Sequence, residues 1–348
     1  MKLRIAIAFF IIHHSSFIIS PAYAQYWHAL PTVGKGDEVA AGFSNDSKKI
    51  FFLKSDSGVA NVWSMVIADK YGGIIAGPKN PPTQITHFTG RGVARFFHLL
   101  NRPEIVYMRL AANGKDYHIY RMKDDDSEQP QDLTPGGDGV TSEMIGASYD
   151  GRYVYYTNNA VNRDKVDCYR YDTRQFASDL IFPNDKDYQV LAWTRDQNKL
   201  LVEDSSEHSF MIYDIETTER SPLKAPDGRS VTSASFDPTD KTAYGIRWFS
   251  SMVNTKGGEK LDSNTFNAME KEGSFEVDYS LNCKYKITHL PGLWEVKNIA
   301  TGERLPLPEG ARPLAITPKE TLLVYAVGPK LYLYDIAKNA STELTAVR

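Results

Sequence analysis

Cysteine is scarce in this sequence: Cys168 and Cys283 are the only two among 348 residues. Two cysteines cannot build the disulfide framework that stabilises small secreted domains, so the fold must rest on its core. Past residue 24, no apolar run approaches the roughly 18 residues of a membrane-spanning helix. Basic charge is not in excess either, with 40 Lys and Arg against 43 Asp and Glu. Nucleic-acid binders need clustered cations to meet phosphates, and that class is excluded. An apolar stripe of 3.6-residue period and useful length is also lacking, which removes helical architectures. No Gly-x-Ser-x-Gly elbow occurs; Gly146-Ala147-Ser148-Tyr149-Asp150-Gly151 comes nearest, with the wrong spacing.

What is present begins with an export signal. Lys2 and Arg4 precede apolar Ile5 to Ile12 and Phe17 to Ile19, and Ala22-Tyr23-Ala24 has the small-x-small pattern of a signal-peptidase site. Cleavage there removes residues 1–24 and leaves a single domain at 25–348. Loss of Lys2 and Arg4 takes the formal net charge from −3 to −5. An uncleaved anchor is the alternative, but His13-His14-Ser15-Ser16 interrupts the apolar stretch. No cysteine stands at the junction, so a lipid anchor is not expected. The chain is read as exported, to a periplasm or to the medium.

Tyrosine dominates the aromatics, with 20 copies, and tyrosine favours half-buried strand positions. Those strands repeat. Phe43-Ser44-Asn45-Asp46-Ser47-Lys48-Lys49-Ile50-Phe51-Phe52 can be laid over Ala147-Ser148-Tyr149-Asp150-Gly151-Arg152-Tyr153-Val154-Tyr155-Tyr156 and over Trp193-Thr194-Arg195-Asp196-Gln197-Asn198-Lys199-Leu200-Leu201-Val202. Each reads as a strand end, a polar turn holding an Asp, then an apolar run. Weaker copies begin at Asp237, Ser280 and Thr317, and a degenerate one near His98 turns at Asn101-Arg102-Pro103. The anchors at 148, 194, 237, 280 and 317 are spaced by 46, 43, 43 and 37 residues, and 44 to 148 spans 104, two units of 52. Gly151 and Asn198 are the residues expected to take the left-handed conformation of such turns.

A tyrosine-rich strand follows each anchor by about twenty residues, as in Ile119-Tyr120-Arg121-Met122, Tyr169-Arg170-Tyr171-Asp172, Met211-Ile212-Tyr213-Asp214 and Leu333-Tyr334-Asp335-Ile336, with Trp294 to Asn298 fainter. A closing segment ends the unit at Gln84-Ile85-Thr86, Asp132-Leu133-Thr134, Ser221-Pro222-Leu223, Leu305-Pro306-Leu307 and Glu343-Leu344-Thr345. Four short strands per unit, with a period of about 40–50 residues, mark an all-β fold: a single β-propeller. One such sheet leaves both apolar faces wet, so every blade needs neighbours. Seven anchors predict seven blades. Six is the competing count, because the fifth unit between Trp248 and Gly273 is polar and reads as a long loop with one weak strand.

The Ser-x-Asp-Gly-like turn, the tyrosine strand ending in Asp and the closing Leu-Thr together resemble the TolB-like propeller repeats. Those repeats occur in periplasmic TolB and in the N-terminal propellers of prolyl-oligopeptidase-type peptidases. The likeness runs from about Val39 to Leu344, and Asp132-Leu133-Thr134-Pro135 with Ser148 to Arg152 is especially similar to the peptidase propellers. Neither the preceding α/β domain of TolB nor the following hydrolase domain of the peptidases is expected here, so no catalytic residue carries over. Fold does not imply function, which sits on grafted loops.

Candidate chemistry is sparse. Of His28, His87, His98, His118, His208 and His289, only His87 is placed near the axis; His98 falls in a turn, His118 in a tyrosine strand, and His208 and His289 in outward loops. No metal site, cofactor or catalytic set is expected. Lys123-Asp124-Asp125-Asp126-Ser127-Glu128 lacks the spacing and glycine of a calcium loop and reads as a solvated hairpin tip. Cys168 and Cys283 fall three blades apart and are expected as two unpaired thiols. The candidate binding residues are Trp248 and Phe249, exposed aromatics at the end of an outer strand beside the long fifth-unit insertion; finishing a buried strand is their other reading.

The sequence therefore points to an exported, non-enzymatic propeller that binds a protein or envelope component through loops on one face. One alternative is a funnel-site enzyme of lactonase or lyase type, using Glu38, Glu143 and Asp187. Another is a regulatory partner of a separately encoded hydrolase.

Overall fold

The computed structural model describes residues 29–31, 38–56, 58–71, 73–75, 80–148, 150–223, 233–236, 246–249, 266–268, 276–290, 293–328 and 330–344. The expected signal peptide at 1–24, the anchor at Asp237 and His28 lie outside them. The first sheet runs β1 (Ala29–Pro31), β2 (Glu38–Phe43), β3 (Lys49–Asp56), β4 (Val59–Val66) and β5 (Thr83–Gln84). A second holds β6 (Val93–His98), β7 (Glu104–Leu110), β8 (Tyr117–Lys123) and β9 (Gln131–Asp132). The third is β10 (Ser142–Ala147), β11 (Tyr153–Asn158), β12 (Asp167–Asp172) and β13 (Ala177–Phe182). Next come β14 (Tyr188–Trp193), β15 (Lys199–Asp204), β16 (Ser209–Asp214) and β17 (Arg220–Pro222). The fifth and sixth show three strands each among the described residues: β18 (Ser233–Phe236), β19 (Ile246–Phe249) and β20 (Phe266–Ala268), then β21 (Glu276–Tyr279), β22 (Tyr285–Leu290) and β23 (Leu293–Asn298). The last is β24 (Ala311–Ile316), β25 (Leu322–Val327), β26 (Lys330–Asp335) and β27 (Ala340–Glu343).

Each strand pairs antiparallel with the next in the chain, except that β20 runs parallel to β19. The weak strand expected in the fifth unit is thus present, in the opposite sense to a propeller meander. Two other details depart from the sequence reading. Leu305 to Leu307 form no strand; an isolated bridge pairs Arg304 with Lys297, and Leu305 donates its amide to the Val296 carbonyl at 2.8 Å. The third sheet instead carries β13, whose Ala-Ser-Asp-Leu-Ile-Phe sequence gave no closing signal.

The tyrosines have a structural role. Tyr107 faces Tyr120, Tyr156 faces Tyr169, and Tyr325 faces Tyr332 in register across the second and third strands of their sheets. The three pairs stack with ring centroids 5.5, 5.4 and 5.2 Å apart. Directly opposed aromatic pairs stabilise a sheet by roughly 0.2–1 kcal/mol each. Burial pushes the Tyr156 phenol up to about 12.

The sheets bury their faces against each other in chain order. Phe51 and Val62 of the first meet Phe96 and Tyr107 of the second. Val106 and Ile119 meet Met144 and Val154, and Tyr155 and Phe182 meet Trp193 and Leu200. Ile287 and Val296 meet Leu323 and Tyr325. The order then closes on itself: Ile50, Phe52 and Met65 of the first sheet share one cluster with Leu314, Val324 and Leu333 of the last. No sheet at the join is left with an open apolar face. That satisfies the demand that made repetition necessary.

Candidate functional site

The anchor turns are built by one side-chain device. The hydroxyls of Ser44, Ser148 and Thr194 donate to Asp46, Asp150 and Asp196 at 2.6, 2.7 and 2.5 Å. They accept the amides of Lys49, Tyr153 and Lys199 at 2.9, 2.8 and 3.0 Å. Each Asp then takes the amide two residues on, at 3.0–3.1 Å. The sixth turn has Asn282 where the Asp should be, and Glu320 of the last sheet supplies the carboxylate. Glu320 accepts the Ser280 hydroxyl and the Asn282 amide, the latter at 2.9 Å.

In the first, third, fourth, sixth and last sheets the fourth residue of the turn is left-handed: Ser47, Gly151, Gln197, Cys283 and Glu320 have φ of 61°, 68°, 66°, 57° and 55°. The expectation for Asn198 is therefore corrected to Gln197, one residue earlier, because the hydroxyl-to-amide bond fixes the turn's phase. From this position side chains reach the preceding sheet. Ser47 accepts the Lys319 amide at 3.0 Å, and Gln197 donates to Asp150 at 3.0 Å. At Gly151 a Cβ would sit 3.1 Å from the Leu100 nitrogen, so a side chain there would press on that backbone in addition to adopting a left-handed φ. At one end of the sheets, among the described residues, these bonds lace the turns of the last and first, third and fourth, and sixth and last sheets into segments of a hoop. A rigid hoop with variable side chains is the kind of surface that can hold a recognition site.

Within the hoop, the seam between the second and third sheets is the most elaborate. Glu104 is buried and faces the guanidiniums of Arg121 at 3.1 Å and Arg102 at 3.9 Å. Arg102 also donates to the Thr173 carbonyl of the third sheet. Both guanidiniums lie against the ring of Phe176, at 5.0 Å for Arg102 and 4.5 Å for Arg121, while Phe176 stays 48% exposed. Beside it Arg152 meets Asp172 at 2.7 Å. None of this group was singled out in the sequence. Its signal is a lone aromatic in a polar turn, which carries no period.

The acidic stretch is corrected in part. Asp125 and Glu128 are exposed, as a hairpin tip requires, but Asp124 is buried and bonds His98 Nε2 at 2.8 Å. Asp126 meets the exposed His87 at 3.1 Å. His98 ends β6 and does not lie in a turn. His118 sits on β8 as expected and bonds Asp132 at 2.7 Å. His208 stands exposed between β15 and β16, whereas His289 belongs to β22, not to a loop. Among the described residues, no three His, Cys, Asp or Glu are grouped to hold a metal ion.

The other named residues are dispersed. Glu143 is exposed on β10, Asp187 is engaged by Lys165 at 2.7 Å, and only the backbone of Glu38 is described. Trp248 and Phe249 lie on β19, the middle strand of its sheet and not an outer one, paired with Ala234 and Ser233; their side chains lie outside the described residues. Cys168 is buried on β12 and Cys283 sits in the sixth anchor turn, both as thiols. Burial pushes the Cys168 thiol up. No helix among the described residues is long and apolar enough to cross a membrane.

The hairpin aspartates make stability sensitive to acid. A hydrogen bond from Lys199, then one from the Thr217 amide, hold Asp214 at about 2, below its ordinary 3.8. Asp204 is lowered by the Ser206 hydroxyl. Asp172 is also lowered: burial pushes it up, but the Arg152 bond and the Arg174 and Gln175 amides together outweigh it. Depressed carboxyls stabilise the fold above about pH 4 and lose that contribution as pH falls through their folded values. The urea midpoint should therefore drop between about pH 4 and pH 2, and Asp214→Asn should flatten the lower part of that drop. An unchanged profile in the variant refutes the assignment.

These sheets and seams define a β-propeller. Three solved structures are similar to this chain. Prolyl oligopeptidase B from Galerina marginata aligns with a TM-score of 0.59 at 11% identity, over 93% of this chain and 51% of that one. An oligogalacturonate lyase in complex with manganese aligns with 0.54 at 13%, over 89% and 96%. TolB from Acinetobacter baumannii aligns with 0.36 at 12%, over 87% of this chain and 53% of that one. The chain thus spans about half the length of TolB and of the oligopeptidase. At these identities the likeness to the oligopeptidase and the lyase is one of fold alone. No family model and no curated protein matches the sequence.

Proposed function

We propose that this chain is an exported, seven-bladed, non-enzymatic propeller that binds a protein or cell-envelope component through the loops at one end of its sheets. The observation that carries the reading is the hoop of anchor turns. Residues from neighbouring sheets lock one another, as at Ser47 with Lys319 and Gln197 with Asp150, and Phe176 is left exposed on that frame. Binding to a preformed surface avoids the entropic cost of ordering loops on contact. Seven sheets among the described residues support the blade count. Residues 1–24 act as the signal peptide in this reading, and the mature chain works in a periplasm or in the medium. Trp248 and Phe249 are proposed as a further contact at the opposite end, where β19 runs out.

The test is cross-linking of the mature chain, beginning at Gln25, in native envelope extract. One reproducible partner, competed by unlabelled chain, is the expected result. Repeated recovery of none defeats the proposal.

A further inference from the structure

The turn that holds Phe176 recurs, and comparing its copies shows what is unusual about this one. Asp172, Asp214, Asn298 and Asp335 each end the third strand of a sheet. Each accepts the amides two and three residues on, at 2.7–3.3 Å. In every copy the fifth residue is left-handed: Phe176 at 56°, Thr218 at 60°, Gly302 at 72° and Asn339 at 52°. Glycine and asparagine suit that conformation, whereas β-branched Thr218 and bulky Phe176 are outliers there, and of the four only Phe176 is aromatic. The strain does not serve the core, because the ring is 48% exposed. A large aromatic ring held in that conformation, without being buried, points to use by something outside the chain.

Its surroundings say what that something is. Arg102 and Arg121 approach the ring at 5.0 and 4.5 Å from the neighbouring sheet, and Arg174, two residues earlier in the same turn, is exposed. Glu104 is the one carboxylate set against both Arg102 and Arg121, so two guanidiniums share one negative charge. The local balance is positive in a chain whose formal charge is −3. Aromatic and arginine side chains are the groups most enriched at energetically dominant contacts, and guanidiniums favour carboxylates geometrically.

We propose that Phe176, with Arg102 and Arg121, anchors an acidic protein segment that carries an apolar side chain. The exposed face of the ring takes the apolar group, and the outer edges of the guanidiniums take the carboxylates. This inference rests on the binding function proposed above and assigns its contact point and the chemistry of its partner.

The test uses the full mature chain and a fluorescein-labelled acidic pentapeptide with one central leucine. A twin peptide with lysine at every acidic position is the control, and binding is read by anisotropy at low salt. The acidic peptide should bind at least tenfold more tightly than its twin, and more weakly as salt rises. Phe176→Asn, which installs the residue found at position 339, should weaken binding tenfold or more. Its thermal midpoint should equal or exceed that of the parent, because the turn is relieved. Equal binding of the two peptides, binding indifferent to salt, or undiminished binding by the variant overturns the proposal. So does a fall of several degrees in the variant's midpoint, which would assign the ring to holding the seam. In the extract experiment, a partner that Phe176→Asn still captures sinks this contact point while leaving the binding function standing. Recovery of no partner by the parent chain strikes the function itself.

Discussion

Leu333→Ala should lower the unfolding free energy by about 3 kcal/mol, and the thermal midpoint by roughly 5–10 °C. Leu333 is fully buried on β26 of the last sheet. It shares a cluster with Ile50, Phe52 and Met65 of the first. Truncation removes transfer free energy and leaves a cavity that two sheets, each held by its own ladder, cannot fully collapse. Size of loss alone does not establish closure, since any core leucine gives it. The decisive measurement is a double-variant cycle with Phe52→Ala, which should cost about 3–5 kcal/mol alone. If the last sheet packs on the first, the pair loses less than the sum of the singles, with a coupling of about 0.5–3 kcal/mol. Leu333→Ala combined with Trp193→Ala should be additive, because Trp193 belongs to the cluster between the third and fourth sheets. Additivity in the Phe52 pair would mean an open row of sheets and would remove the propeller.

That closure was only implied by the amino-acid order. Local devices were legible because they are written within a few residues: Ser148 with Asp150, or Tyr156 across from Tyr169, follows from a turn's chemistry and a strand's period. Lys319 donating to Ser47 spans 272 residues, and no local pattern announces it. The same distinction explains the errors. Asn198 looked like the left-handed residue on intrinsic preference, yet the bond from the Lys199 amide to Thr194 sets the phase and puts Gln197 there. Asn282 looked like a weakened anchor. Its missing carboxylate comes from Glu320, a residue that is itself irregular within its own turn. Phe176 was invisible for a related reason: only after the four turns are superimposed does a phenylalanine stand out at a position filled elsewhere by threonine, glycine and asparagine. Trp248 and Phe249 were chosen for their residue type, and their side chains lie outside the described residues.

Asp124→Ala should be the most damaging change in the acidic stretch, at about 3 kcal/mol, although its neighbours in sequence are expendable. His98 and Asp124 have side-chain exposures of 3% and 8% and meet at 2.8 Å. The bond ties the end of β6 to the residue after β8, and the Asp124 amide is held in turn by the Pro103 carbonyl at 3.0 Å. The imidazole stacks on Phe51 of the first sheet, with centroids 4.4 Å apart. Its other nitrogen, Nδ1, is buried with no hydrogen-bond partner. Deleting the carboxylate therefore strands both ring nitrogens in an apolar seam, where water cannot replace what is lost. Asp126, two residues on, pairs with a His87 whose side chain is 57% exposed, and Asp126→Ala should cost less than about 0.5 kcal/mol. Unfolding in urea would separate the two variants by several-fold in free energy. Equal losses would show that the stretch is the uniformly solvated tip its composition suggests. The double change His98→Leu with Asp124→Leu should recover much of the Asp124→Ala loss, because apolar replacement of both partners leaves no polar atom unpaired. If the double variant is as unstable as Asp124→Ala, the penalty comes from the backbone around Pro103, and the buried pair is not its source.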